Sequence, residues 1–112
     1  YKEVDFCLDS FPYHGVTATF EALWMGVPVL VLKGFNFNSN CGYSIIKNSK
    51  FDQLISNNSE EYINKAVYFY KNKNEFLQLR KNLNKTILST SLFDTKKFSK
   101  NFGESLLSII NY

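Results

Sequence analysis

Two short apolar runs, residues 4–8 and 29–32, are separated by twenty residues that open on a turn and close on a hard stop. The intervening stretch reads as a strand end, a turn, a hydroxyl-rich helix start and a short helix. Pro12 and Gly15 punctuate the turn, and Gly15 permits positive φ or a close backbone approach. A helix starting at Val16 or Thr17 then runs through Phe20, Leu23 and Trp24. Gly26 stands where a C-terminal cap is expected, with Pro28 just beyond it. The run Val29–Leu32 that follows is of the kind buried in parallel sheets. The spacing therefore predicts a β-α-β unit with a ligand-facing turn.

A helix N-terminus presents unsatisfied N–H groups and the positive end of the dipole, which suits a phosphate. The first turn here adds the hydroxyls of Thr17 and Thr19, and Glu21 follows Thr17 at i+4, so both can face one ligand. A carboxylate one turn beyond a phosphate-binding start is placed to accept from ribose hydroxyls. The alternative from the residues alone is that Thr17 caps the helix and Glu21 is a solvated acid.

A chain of 112 residues is enough for one small domain, and 45% hydrophobic residues allow it a core. The net charge of +3 comes from the second half: residues 1–50 hold four Lys and four acids, residues 51–112 nine Lys/Arg and six acids. Spread among Asn residues, that excess is too dilute for a nucleic-acid surface and reads as a solvated face. Cys7 and Cys41 show no pairing pattern or metal spacing, which points to a reducing compartment. With no membrane-length run and no visible signal peptide, the expectation is a cytoplasmic protein without a membrane partner. Two βα units make a poor sheet, and the chain does not begin with Met, so it is read as part of a longer polypeptide.

After Lys33 and Gly34 comes an Asn-rich loop, then a short helix over residues 42–47 with Ser39 or Asn40 at its cap. The start of that helix is a second place where amides could meet a ligand. Residues 51–55 are a short strand or an irregular link; periodicity does not decide. From residue 59 the pattern is helical. Asn58 with Glu61 forms a capping box, followed by an apolar stripe of Tyr62, Ile63, Ala66, Val67 and Tyr70. Phe76, Leu79, Leu83 and Ile87 make the next stripe. Asp94 or Thr95 caps a last helix, with Phe98, Phe102, Leu106, Ile109 and Ile110 expected inward and Gly103 weakening its middle.

The pattern Asp5, Leu8-Asp9, Phe11-Pro12-Tyr13, Gly15, Thr17, Thr19 and Glu21-Ala22-Leu23-Trp24-Met25-Gly26-Val27-Pro28 resembles the C-terminal catalytic region of the O-linked N-acetylglucosamine transferase family. That family includes SPINDLY-like and bacterial tetratricopeptide-linked members. The resemblance continues through the Gly34 loop, Ser44-Ile45-Ile46, Leu54-Ile55, Glu61-Tyr62 and Ser91-Leu92-Phe93-Asp94, and so spans nearly the whole chain.

The resemblance implies an α/β fold. The chain would be the second half of the Rossmann-like donor-binding domain of a two-domain GT-B glycosyltransferase, plus closing helices, with the helical tail over about residues 59–112. It implies a nucleotide-sugar donor such as UDP-N-acetylglucosamine (a uridine or guanosine nucleotide by this segment alone), a protein Ser/Thr acceptor, a tetratricopeptide array upstream, and no metal or further cofactor. By position, Val16, Thr17 and Ala18 would meet the donor diphosphate and Glu21 the ribose, with His14, Gly15 and Thr19 as further candidates. No catalytic residue is assigned, since the family's catalytic groups lie upstream and the isolated chain is expected to be inactive. Two departures stand out: Ala18 replaces a usual hydroxyl residue, and Asn40 stands where the family usually has Arg. Further strands beside residues 4–8 are implied, so that edge is expected to lack a partner within the chain. Two other readings remain: an epimerase-like nucleotide-sugar enzyme of the same fold, and a non-catalytic interaction remnant.

Overall fold

The computed structural model describes residues 1–111. The elements are β1 (Cys7–Leu8), α1 (Thr17–Trp24), β2 (Val29–Leu32), α2 (Cys41–Ser49), β3 (Ile55–Ser56), α3 (Ser59–Lys71), α4 (Lys73–Thr86) and α5 (Thr95–Ile110). Short 3-10 turns occupy Asp52–Leu54, Ile87–Ser89 and Ser91–Phe93.

The three strands are parallel in the order β1-β2-β3, with Cys7 opposite Val29 and Val31 opposite Ile55. The predicted β-α-β unit is present, and residues 51–55 resolve into a 3-10 turn that delivers a third strand. β1 is shorter than the expected residues 4–8. Cys7 pairs with Val29, so the residue before it would face Pro28, which has no N–H to donate. Residues 4 and 5 are held instead by Arg80, whose Nη1 donates to the Val4 carbonyl at 3.0 Å and the Asp5 carbonyl at 3.3 Å. Among the described residues β1 lies at the sheet edge.

All four residues of β2 are buried. Alternate residues point to opposite faces, so both faces are covered. Right-handed crossovers place α1 and α2 on one face and leave the other to α3 and α4. The core joins Leu23, Val27 and β2 to Ile46 and Leu54, and to Phe69, Phe76, Leu79 and Leu83 from the helical tail. The expected stop of α1 is there: Gly26 has φ +73°, its N–H reaches the Leu23 carbonyl at 2.9 Å, and Val27 N–H reaches Ala22 at 2.8 Å.

The tail corrects two expectations. In α3 the inner stripe is Tyr62, Ala66 and Phe69, whereas Ile63, Val67 and Tyr70 are exposed. The two sets are one residue out of phase, each with i, i+4, i+7 spacing, so periodicity had no means of choosing between them. In α5 no residue is buried: Phe98 is 66% and Ile110 76% exposed, and Phe102, Leu106 and Ile109 are exposed too. An apolar stripe shows which face of a helix seeks burial, not which surface covers it. The α4 stripe is as expected, and so are the Asn58 and Asp94 N-caps, with Asn58 Oδ1 accepting from Glu61 N–H at 2.8 Å and Asp94 Oδ1 from Lys97 N–H at 3.0 Å. The Glu61 carboxylate accepts from Asn57 N–H at 3.1 Å, not from the Asn58 N–H that a capping box would use.

Candidate functional site

The site begins at Asp9, where β1 ends. Its Oδ1 accepts from Ser10 N–H at 3.0 Å and from Gly15 N–H at 2.9 Å, folding the intervening turn back on itself. Its carbonyl accepts from the Tyr62 hydroxyl at 2.9 Å, which ties the strand end to α3. Burial, and then the Asp9 charge, pushes the Tyr62 phenol up, so it stays a donor. The approach is tight, for a Cβ on Gly15 would lie 3.2 Å from the Thr19 hydroxyl and 3.4 Å from Asp9 Oδ1.

α1 then starts without a cap. Val16 occupies the N-cap position, no side chain closes the helix, and the first helical bond runs from Phe20 N–H to the Val16 carbonyl at 3.0 Å. Among the described residues, nothing accepts from the amides of Thr17 and Ala18, and both residues are exposed. Thr17 therefore does not cap the helix, because it sits inside the first turn. Thr19 points inward at 3% exposure, its hydroxyl donating to the Gly15 carbonyl at 3.1 Å, so that hydroxyl is not offered to a ligand. Thr17 and Glu21 share the exposed ridge of α1. On one side of that ridge lies a groove of about 570 Å³ bounded by Val16, Phe20, Phe37, Asn40, Cys41 and Ser44. A second depression, of about 410 Å³, lies further along α1 where Glu21 meets Phe20, Trp24, Met25 and Phe93.

The second helix start is different. Asn40 is at the N-cap of α2 but does not cap it. Its Oδ1 accepts from Gly34 N–H at 3.2 Å and its Nδ2 donates to the Asn36 carbonyl at 2.9 Å, so it closes the loop. An arginine has no acceptor and could not take the Gly34 bond. Ser39, the other cap candidate, is fully buried and its Oγ accepts from the amides of Phe35 and Asn36. The amide of Gly42, in the first turn of α2, donates to His14 Nδ1 at 3.0 Å. His14 is 2% exposed, and its other ring nitrogen lies 2.8 Å from the Leu32 carbonyl. Asp9 Oδ2 faces the same helix start, 3.7 Å from His14 Nδ1 and without a hydrogen-bond partner among the described residues. With one amide taken and a carboxylate in front of it, α2 is closed to an anion. α1 is open to one.

Of the residues the sequence put forward, Val16, Thr17, Ala18 and Glu21 are exposed on α1, while Gly15, His14 and Thr19 lie beneath that surface. Sequence reasoning assigned no role to Asp9, whose signal was a carboxylate at a strand end followed six residues later by glycine. Among the described residues, no group of three His, Cys, Asp or Glu is placed to hold a metal, and no helix is long and apolar enough to cross a membrane.

The model of glycosyl transferase family 41 matches residues 2–102. The chain belongs to that family. It is 34% identical over 101 residues to a tomato protein (Solanum lycopersicum) described as a probable UDP-N-acetylglucosamine–peptide N-acetylglucosaminyltransferase SPINDLY, covering 90% of this chain and 11% of that one. It is 32% identical over 108 residues to the Arabidopsis thaliana protein SEC, described in the same terms, covering 96% and 11%. The solved structure of a mutant of the Thermobaculum terrenum O-GlcNAc transferase superposes with a TM-score of 0.87 at 32% identity, covering 95% of this chain and 20% of that one. The small parallel sheet and closing helices are therefore those of one part of a GT-B glycosyltransferase. The chain spans about a tenth of the length of the curated relatives it matches.

Proposed function

We propose that this segment supplies the diphosphate- and ribose-binding part of a glycosyltransferase that moves N-acetylglucosamine from UDP-N-acetylglucosamine to Ser or Thr hydroxyls of proteins. The observation that carries the reading is the uncapped, exposed start of α1 with Glu21 one turn further on the same ridge. The family membership and the activities for which the relatives are named support the donor and the acceptor. The two free thiols, Cys7 and Cys41, are in keeping with a cytoplasmic protein.

In such a transfer the acceptor oxygen bonds to the anomeric carbon as the bond to the β-phosphate oxygen breaks. Negative charge grows on the departing diphosphate. Fixed N–H dipoles at Thr17 and Ala18, aimed out of the helix, stabilise that charge without having to reorganise. Val16 walls the groove beside them. Glu21, whose carboxylate has no partner among the described residues, accepts from the ribose hydroxyls. The proton of the acceptor goes to a base elsewhere in the protein, because His14, the chain's one histidine, is buried with both nitrogens engaged.

Two charge-assisted hydrogen bonds contribute about 1.5–3 kcal/mol each before desolvation is subtracted. In the full-length protein, Glu21→Ala is expected to weaken UDP binding about 10- to 1000-fold by titration calorimetry. Its melting temperature should hardly move, since the side chain makes no contact that the fold needs. Unchanged affinity would remove the ribose role.

A further inference from the structure

We propose that His14 is a positioning residue for the donor site, a brace that locks the turn before α1 onto the β2–α2 connection. The inference rests on the donor reading above and extends it to a residue beneath the surface. Among the described residues His14 makes three hydrogen bonds: one to the end of β2, one to the connection itself and one to the first turn of α2. Its main-chain N–H donates to the Asn38 carbonyl at 2.9 Å, its Nε2 bonds the Leu32 carbonyl at 2.8 Å, and its Nδ1 bonds Gly42 N–H at 3.0 Å. The partners decide the tautomer. A carbonyl only accepts, so Nε2 carries the hydrogen, and Nδ1 is left bare as the acceptor that an amide requires.

The brace joins the two walls of one groove. Two residues after His14, Val16 lines the groove from the α1 side; Asn40, Cys41 and Ser44 line it from the α2 side. Gly42 sits between Cys41 and Ser44 in sequence, so the Gly42 bond sets how close α2 stands to the open start of α1. The approach leaves no room for a side chain: a Cβ on Gly42 would lie 3.0 Å from His14 Nδ1 and 2.1 Å from Asp9 Oδ2. Asp9 holds Gly15, the next residue, from below. With residues 14 and 15 both fixed, the amides of Thr17 and Ala18 are held in place before a ligand arrives. A diphosphate then binds without bearing the entropy of ordering the turn.

The ring bonds can be separated by substitution in the full-length protein. Asn places an acceptor near the Nδ1 position and preserves the Gly42 bond. Gln places a donor near Nε2 and preserves only the Leu32 bond. UDP titration of wild type, Glu21→Ala, His14→Ala, His14→Asn and His14→Gln, each with a melting curve, tests the brace. His14→Ala and His14→Gln are expected to weaken UDP binding about tenfold, the size of one lost buried hydrogen bond. His14→Asn should bind within about threefold of wild type while melting no higher than His14→Gln. The imidazole ¹⁵N spectrum of the wild type should show Nδ1 unprotonated. Wild-type affinity in His14→Gln, equal affinities in the Asn and Gln variants, or an Nδ1–H tautomer would each overturn the brace, whether or not His14→Ala folds. If Glu21→Ala weakens binding in the same series, the donor reading survives that loss. A wild type that binds no UDP overturns both.

Discussion

The starts of α1 and α2 lie side by side at the C-terminal edge of the parallel sheet, each following a strand and neither closed by its own N-cap side chain. By local criteria they are equivalent anion sites. In the folded chain, α2 has an amide spent on His14 and a buried carboxylate, Asp9, facing it, whereas Thr17 and Ala18 of α1 are exposed and nothing among the described residues accepts from their amides. The difference teaches that an uncapped helix start becomes a binding site only when no distant side chain has already filled it. It also gives Asp9 two tasks, since one oxygen shapes the turn before α1 and the other faces the start of α2.

The sharpest way to break the comparison is to add one methyl group at the filled start. Gly42→Ala is expected to cost about 1–3 kcal/mol of stability, because its Cβ would overlap a buried, held carboxylate. Thermal melting of the full-length protein checks it, and a wild-type melting curve would mean that the start of α2 has room to spare. At the open start the opposite result is expected. Ala18→Thr restores the hydroxyl that the family resemblance leads one to expect. It should tighten UDP binding about 2- to 12-fold, the worth of one neutral hydrogen bond of about 0.5–1.5 kcal/mol. Stability should fall by no more than about 0.7 kcal/mol from helix propensity. Unchanged affinity would argue that the α1 start is open but unused.

The smallest expected effect lies beneath both starts, at Tyr62. Its phenol is pushed up from the usual value of about 10, first by burial and then by the Asp9 charge. A folded-state value above the unfolded one means that the native state holds the proton longer. The contribution of Tyr62 is therefore intact below about pH 10 and is lost as the pH rises through the folded value. Denaturant midpoints followed from about pH 8 to pH 11 should fall more steeply for wild type than for Tyr62→Phe. Parallel slopes would detach the Tyr62 titration from its burial beside Asp9.

Much of the chain was legible because its signals act over a few residues. The β-α-β unit, the Gly26 stop, the Asn58 and Asp94 caps and the α4 stripe each depend on neighbours within about a turn of helix, where periodicity and capping chemistry apply. The exposed set of Val16, Thr17, Ala18 and Glu21 was legible for the same reason. What tertiary structure alone decided involves partners far apart in sequence: Leu32 lies 18 residues from His14, Gly42 lies 28 from His14, and Tyr62 lies 53 from Asp9. Those contacts made His14 a buried brace, spent an amide of α2 and left those of α1 free. The choice between the out-of-phase stripes of α3, and the exposure of the apolar face of α5, were decided in the same way. An amphipathic helix carries its own pattern in its sequence; the surface that covers it is set by how the rest of the chain packs.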